Sequence, residues 1–236
     1  MNRPAAVVFD YGGTLVESKV CKFEEGIKKL LSLSVNPGKI TSKEILNTIE
    51  DLGGTINAIN KDYLIEIGFR NYFKYVFGKF NIEFNDKYEE LEKIFRQEIY
   101  EYKPTHGVKD LLGYLKSSNI RIGVLSNNEF SGEALEYELR TAFPDTEFEF
   151  VISSVDYYFR KPSPKIFEIA ESKLDLHGTE IWYVGDNFSV DVIGSSNAGF
   201  TPVWYNQYGK VGYKESNYIE AASWSDLIKF IDNLEA

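Results

Sequence analysis

The feature that most constrains this chain is a rhythm of short apolar runs. They lie at residues 5–10, 120–126, 148–154, 181–186 and 201–205. Most are continuous rather than alternating, as strands buried on both faces require. Helical patterns lie between the later ones. Val108, Leu111, Leu112 and Leu115 mark a helix over 107–117, and Ile166, Phe167, Ile169 and Ala170 mark one over 163–173. Pro164 falls in the first turn of the latter, where proline is tolerated. A short small-residue segment follows at 191–198, and Leu227, Ile228 and Ile231 give 225–234 an apolar face. Strands alternating with helices predict an α/β fold, a doubly wound parallel sheet with helices on both faces.

Residues 19–102 break that rhythm and carry no strand pattern. Helices are expected at 22–33, with Phe23, Ile27, Leu30 and Leu31 on one face, at 61–77, and at 86–100, opened by Asn85. Thr41-Ser42-Lys43-Glu44 reads as a capping box, and Gly53-Gly54 as the end of the helix it starts. The block reads as a helical insertion of about 80 residues. The domains expected are therefore a core of 1–18 and 103–236 and an inserted domain of 19–102. The dense aromatics Tyr63, Phe69, Tyr72, Phe73, Tyr75 and Phe77 read as the insertion's own core. Trp204 and Trp224 read as core residues, and His106 and His177 as capping or surface groups beside helix ends.

At 236 residues the chain can bury one sizeable core, or a core and a smaller domain. A net charge of −10 argues against nucleic-acid binding, which wants a basic stripe. It permits an anionic substrate, because a local site can oppose the global charge. The single cysteine, Cys21, allows no internal disulfide, fits a reducing compartment and reads as a packing residue. There is no signal-peptide pattern, and no run approaches the ~20 apolar residues of a membrane helix. A cytoplasmic location away from membranes is expected.

Ligands bind beyond the carboxyl ends of the strands in an open parallel sheet. Asp10 stands there, followed by Tyr11-Gly12-Gly13-Thr14; so do Ser126, followed by Asn127-Asn128, then Arg160-Lys161-Pro162, and Gly185-Asp186-Asn187 with Asp191 one turn on. Asp10 and Asp186, on neighbouring strands, suit a hard divalent cation such as Mg²⁺. Lys161 and Ser126 or Thr14 suit phosphoryl oxygens. An aspartate facing the phosphorus suits a nucleophile, and glycines at 12 and 13 let the backbone approach a ligand. Each piece alone has a bland reading, as a strand end, a cap, a loop charge or a turn. The specificity lies in the four together, in this order.

Those pieces fall in recognisable motifs. "VVFDYGGTL", "IGVLSN", "RKPSPKIF" and "VGDNFSVDVIGSSNAG" resemble the four motifs of the haloacid dehalogenase (HAD) superfamily of phosphatases and related hydrolases. "HGVKDLLGYLKSSNIRIGVLSNN" resembles the run-up to the second motif in members with a helical cap. The resemblance covers nearly the whole chain. It implies a Rossmann-like core with residues 19–102 as the cap, and Asp10 as the nucleophile that forms an aspartyl-phosphate. Ser126 would bind a phosphoryl oxygen and Lys161 neutralise charge on Asp10 and the phosphoryl group. Asp186 would bind Mg²⁺ together with Asp10 and the Gly12 carbonyl, while Asp191 orients Lys161 or a metal-bound water. Tyr11, Gly13, Thr14 and Asn127 would line the substrate site, with Thr14 shaping the turn. The implied substrate is a small phosphorylated metabolite over which the cap closes.

Position 12 departs from the pattern. Phosphatases of this superfamily usually place a second aspartate there, to protonate the leaving oxygen. Such an acid is worth about 10²–10⁴-fold in rate. With Gly12 three readings stand. One is a Mg²⁺-dependent phosphatase that uses water, a substrate group, Glu17 or Glu129 as its acid, or that favours good leaving groups. Another is dehalogenation or phosphonate cleavage, although Gly185-Asp186 resembles a metal-binding motif that the dehalogenases do not need. The last is an impaired enzyme that binds a phosphorylated ligand or a protein partner. The presence of Asp10, Ser126, Lys161, Asp186 and Asp191 together favours the first.

Overall fold

The computed structural model describes residues 2–20, 22–212 and 217–234, apart from the side chain of Thr179; Cys21 lies outside the described residues. The chain opens with strands β1 (Ala6–Phe9) and β2 (Val16–Val20). Four helices follow: α1 (Phe23–Leu33), α2 (Ser42–Tyr63), α3 (Phe69–Lys79) and α4 (Tyr88–Ile99). Strand β3 (Tyr100–Pro104) then leads to α5 (Val108–Ser117), β4 (Arg121–Ser126), α6 (Gly132–Ala142), β5 (Val151–Ser153) and the single turn α7 (Ser154–Tyr157). The last stretch runs through α8 (Pro164–Leu174), β6 (Ile181–Gly185), a π-helical turn at Phe188–Val192, α9 (Ile193–Asn197), β7 (Thr201–Tyr205), β8 (Ile219–Ala221) and α10 (Trp224–Asp232).

Six strands form one parallel sheet in the order β5-β4-β1-β6-β7-β8. The five apolar runs all supply strands to it. Alternation along the strands divides the packing. Val7, Phe9, Trp182 and Val184 face one core, with residues of α5, α6 and α10. Ala6, Val8, Ile181 and Tyr183 face the other, with Ile166, Phe167, Ala170 and Leu174 of α8. Helices therefore cover both faces, as a doubly wound sheet requires. Trp204 and Trp224 are buried as expected. The register places Phe9 beside both Val124 and Val184. Asp10, Ser126 and Asp186 consequently emerge on one edge of the sheet.

The four helices between β2 and β3 have a separate aromatic core. Phe69 stacks on Phe73, with centroids 4.0 Å apart, and both pack on Phe95 at 5.0 Å. Phe130, which follows β4, joins this core at 5.3 Å from Phe69. Of the aromatics read as core, Phe69, Tyr72, Phe73 and Phe77 are buried, whereas Tyr63 and Tyr75 are exposed.

Four local expectations are corrected. First, β2 and β3 pair antiparallel, Val16 with Pro104 through Val20 with Tyr100, so strands flank the insertion where none was expected. This ribbon buries little, and its sequences VESKV and YEYKP lack an apolar face. The expected boundaries at 18/19 and 102/103 fall inside it. Second, the capping box at Thr41 and Glu44 is present, but α2 passes straight through Gly53-Gly54. Each glycine costs about 1 kcal/mol against alanine; Ile49, Leu52 and Ile56, packed on the aromatic core, hold the helix across them. Third, the helix expected over 61–77 is broken. Leu64 is left-handed at φ 52, and Leu64–Glu66 pairs with Tyr158–Arg160 through Arg160 N to Leu64 O at 3.0 Å and Glu66 N to Tyr158 O at 2.8 Å. Fourth, Asn85 does not open α4. Lys87 stands at its N-cap without a side-chain bond, and Glu89 and Glu90 complement the helix dipole instead. No helix among the described residues is long and apolar enough to cross a membrane.

Candidate active site

The turn after β1 fixes the first carboxylate. Asp10 N continues the ladder to Val184 O at 2.8 Å. The chain then folds back on itself: Leu15 N and Val16 N both donate to Tyr11 O at 3.0 Å, and Gly13 N donates to Val16 O at 2.8 Å. Two of those bonds bridge Gly12 and Val16 in parallel. The two glycines differ in kind. Gly13 has φ +75, and a Cβ there would stand 3.0 Å from the Asp186 carboxyl carbon, so the turn requires glycine. Gly12 has no such φ, and a Cβ there would meet nothing within 4 Å. The fold does not demand glycine at position 12.

Lys161 is the hub of the site. It is 2% exposed, and its Nζ donates to Asp10 Oδ1 and to Asp191 Oδ1, each at 2.7 Å. It also donates to the Tyr183 hydroxyl, which donates on to Leu125 O at 2.7 Å. Asn127 grips the backbone of the same lysine at two points: its Oδ1 accepts from Lys161 N at 2.7 Å, and its Nδ2 donates to Lys161 O at 2.9 Å. Asp191 Oδ2 accepts from Asn187 N at 2.9 Å, so both oxygens of Asp191 are engaged. It lies in the π-helical turn, an irregularity common at functional sites.

The charges do not balance. Asp10, Asp186 and Asp191 can bring one ligand atom each within 4.8 Å of one another, against the single buried Lys161. Burial, together with the charges of Asp191 and Asp186, pushes Asp10 up to about 7 despite Lys161. Asp186 is raised as well, by burial and then by Asp191. Burial disfavours the Lys161 cation, yet Asp10 and Asp191 outweigh it and hold the lysine above its ordinary range. When all three carboxylates are ionised, they and the one lysine leave two negative charges, which one divalent cation would offset. Asp10 Oδ2 and the Asp186 carboxylate accept no hydrogen bond from other described side chains, so oxygen donors suited to Mg²⁺ stand ready.

A cavity of about 270 Å³ opens onto this group. Asp10, Tyr11, Gly12, Ser126, Asn127, Lys161, Asp186 and Asp191 all line it. Gly13 and Thr14 do not. Thr14 is fully buried, and its hydroxyl has no partner among the described residues. Its carbonyl accepts from Thr105 Oγ1 at 2.7 Å, a bond that steadies the turn. The two glutamates expected as substitute acids are also elsewhere. Glu17 pairs with Lys103 across the exposed ribbon at 2.9 Å, and Glu129 accepts from the Tyr72 hydroxyl at 3.2 Å. His177 lies 3.5 Å from Glu171 on the surface.

Sequence reasoning missed Tyr183, three residues before Asp186 on β6. It also missed a cluster around Arg96, which lines the same cavity. Arg96 of α4 donates to Glu138 of α6 through Nε at 2.6 Å and Nη2 at 3.0 Å. Glu138 also accepts from the Tyr11 hydroxyl. Nothing in the local sequence of 96 or 138 marks them, since the contact joins residues 42 apart.

A family model described as haloacid dehalogenase-like hydrolase matches residues 4–199. A glyceraldehyde 3-phosphate phosphatase of Pyrococcus furiosus is 26% identical over 243 residues, covering 100% of this chain and 95% of that one. An (S)-2-haloacid dehalogenase of a Pseudomonas species is 28% identical over 110 residues, 47% of each chain. The crystal structure of a HAD phosphatase from Thermococcus onnurineus superposes with a TM-score of 0.61 at 23% identity, covering 98% of this chain and 99% of that one.

Proposed function

The chain belongs to the haloacid dehalogenase-like hydrolases, and on that premise we propose that it is a Mg²⁺-dependent phosphatase of a small phosphorylated metabolite. The observation that carries this reading is the carboxylate triad of Asp10, Asp186 and Asp191 around one buried lysine. A haloacid carries a single carboxylate and needs no cation to be bound; a site two negative charges in excess suits a metal-bridged phosphoryl group better. The phosphatase name of the relative matched over 95% of its length supports the same choice.

The geometry supports the following roles. Asp10 is the nucleophile: Lys161 holds its Oδ1, and Oδ2 attacks phosphorus as the bond to the leaving oxygen breaks, giving an aspartyl-phosphate that water then hydrolyses to release phosphate. Lys161 opposes the charge that gathers on Asp10 and on the phosphoryl oxygens. Ser126, at the end of β4, donates its hydroxyl to one of those oxygens. Asp191, Tyr183 and Asn127 hold Lys161 in place. Mg²⁺ held by Asp10, Asp186 and the Gly12 carbonyl would supply positive charge at the transferring group. The helices α1–α4 act as the cap that closes over the cavity and excludes water.

Gly12 shapes the substrate range. The carboxylates lining the cavity are Asp10, Asp186 and Asp191, all engaged in the roles above, so among the described residues no further carboxylic acid lines the cavity to protonate the leaving oxygen. The enzyme accordingly favours esters with good leaving groups, or substrates that supply their own proton. The test compares phosphate release from glyceraldehyde 3-phosphate, with Mg²⁺ and with EDTA, against chloride release from 2-chloropropionate. Phosphate release abolished by EDTA supports the reading. Chloride release without phosphate release contradicts it.

A further inference from the structure

We propose that Arg96 reads an acceptor oxygen, of a carbonyl or a carboxylate, at the end of the substrate away from phosphorus. This rests on the phosphatase reading above and narrows its substrate class.

Arg96 sits on α4 but lines the same cavity as Asp10 and Gly12. Its guanidinium is fixed from several sides. Nε and Nη2 are taken by Glu138, and Cζ lies 4.7 Å from the ring centres of both Tyr100 and Phe130 and 5.7 Å from that of Tyr11. Such packing removes the rotamer freedom an arginine ordinarily loses on binding, so the group is preorganised. The remaining nitrogen, Nη1, has only a long contact, 3.4 Å, to Asn128 Oδ1. That oxygen already accepts from Phe130 N at 3.0 Å. A buried guanidinium nitrogen left so poorly matched is a donor awaiting a better acceptor.

The surroundings fit the same occupant. Asn128 lines the cavity beside Arg96, and its Nδ2 has no partner among the described residues. Gly12 leaves open the space where a side chain would otherwise stand. The cavity volume of about 270 Å³ admits a phosphoryl group and only a few further heavy atoms. A short phosphorylated chain with an oxygen at its far end suits a cavity that Asp10 and Arg96 both line.

The experiment measures kcat and KM for 2-phosphoglycolate, glycolaldehyde phosphate and ethyl phosphate, with Mg²⁺, in the wild type and in Arg96→Lys. Lysine keeps the charge beside Glu138 but loses the planar fork. The expected result is a kcat/KM at least about tenfold higher for one acceptor-bearing probe than for ethyl phosphate, the scale of one charged hydrogen bond. Arg96→Lys then removes that advantage, chiefly through KM. Preference for phosphoglycolate assigns a carboxylate; preference for the aldehyde assigns a carbonyl. Equal turnover of all three by the wild type overturns the inference, and needs no variant to fold. So does an advantage that survives in Arg96→Lys, or a loss that is equal for all three probes, which would make Arg96 a structural latch. Phosphate release from none of the three overturns the inference if p-nitrophenyl phosphate is still hydrolysed, and overturns the phosphatase reading if that ester is not hydrolysed either.

Discussion

Asn127 holds the backbone of Lys161 by a pair of hydrogen bonds, 2.7 Å from Lys161 N to Oδ1 and 2.9 Å from Nδ2 to Lys161 O. A side chain at the end of β4 thereby sets the position of a cation delivered by the loop after β5. These bonds pin the loop from which Lys161 reaches Asp10. Asn127→Ala leaves the carboxylates in place but frees the loop. A misplacement of about 1 Å at the reacting group costs about 10²-fold. Steady-state kinetics on a phosphate ester should show a fall in kcat of that order with a smaller change in KM. Unchanged kcat would mean that Asp10 and Asp191 position Lys161 unaided.

The raised Asp10 carboxyl gives a dependence on pH and metal. In the metal-free protein its pKa is about 7, against an ordinary 3.8. Between those values the folded state binds more protons than the unfolded one, so this group's contribution to stability falls as pH rises. Mg²⁺ bound at Asp10, as proposed, would compete with that proton for the ionised form. The increase in melting temperature on adding Mg²⁺ should therefore be larger at pH 8 than at pH 5.5. Equal increases at both values would place the cation away from Asp10.

Gly12 offers a gain of function. No steric contact opposes a side chain there, so Gly12→Asp should fold with little change in stability. An acid over the leaving oxygen should raise turnover of alkyl phosphates by about 10²–10⁴-fold, while turnover of aryl phosphates, which need little protonation, rises far less. The ratio of the two rates is the measurement. A variant that folds and shows no change in the ratio would mean that proton transfer is not what limits the wild type.

Much of this was legible in the sequence, for identifiable reasons. Strands buried on both faces leave apolar runs that survive any context, and the runs ending at Asp10, Ser126 and Asp186 gave the sheet and the edge where these residues gather. Lys161 and Asp191 came from the same motifs and lie in the same cavity. What was hidden depends on distant contacts. The ribbon of Val16–Val20 and Tyr100–Pro104 has no apolar face to announce it. The break at Leu64 exists because Leu64–Glu66 pairs with Tyr158–Arg160, some 94 residues away, where Arg160 also meets Glu66 at 3.4 Å. The helix through Gly53-Gly54 is held by packing that outweighs propensity. Arg96, Glu138 and Tyr183 matter through partners that no local pattern reveals.

The central claim is that Asp10 attacks phosphorus with Mg²⁺ in place. The most direct test is hydrolysis of p-nitrophenyl phosphate by the wild type and by Asp10→Asn, each with Mg²⁺ and with EDTA. This ester has a good leaving group and asks little of the acid missing at Gly12. The account predicts turnover by the wild type that requires Mg²⁺ and is lost in Asp10→Asn. Turnover that persists in Asp10→Asn, or that is indifferent to EDTA, would contradict it.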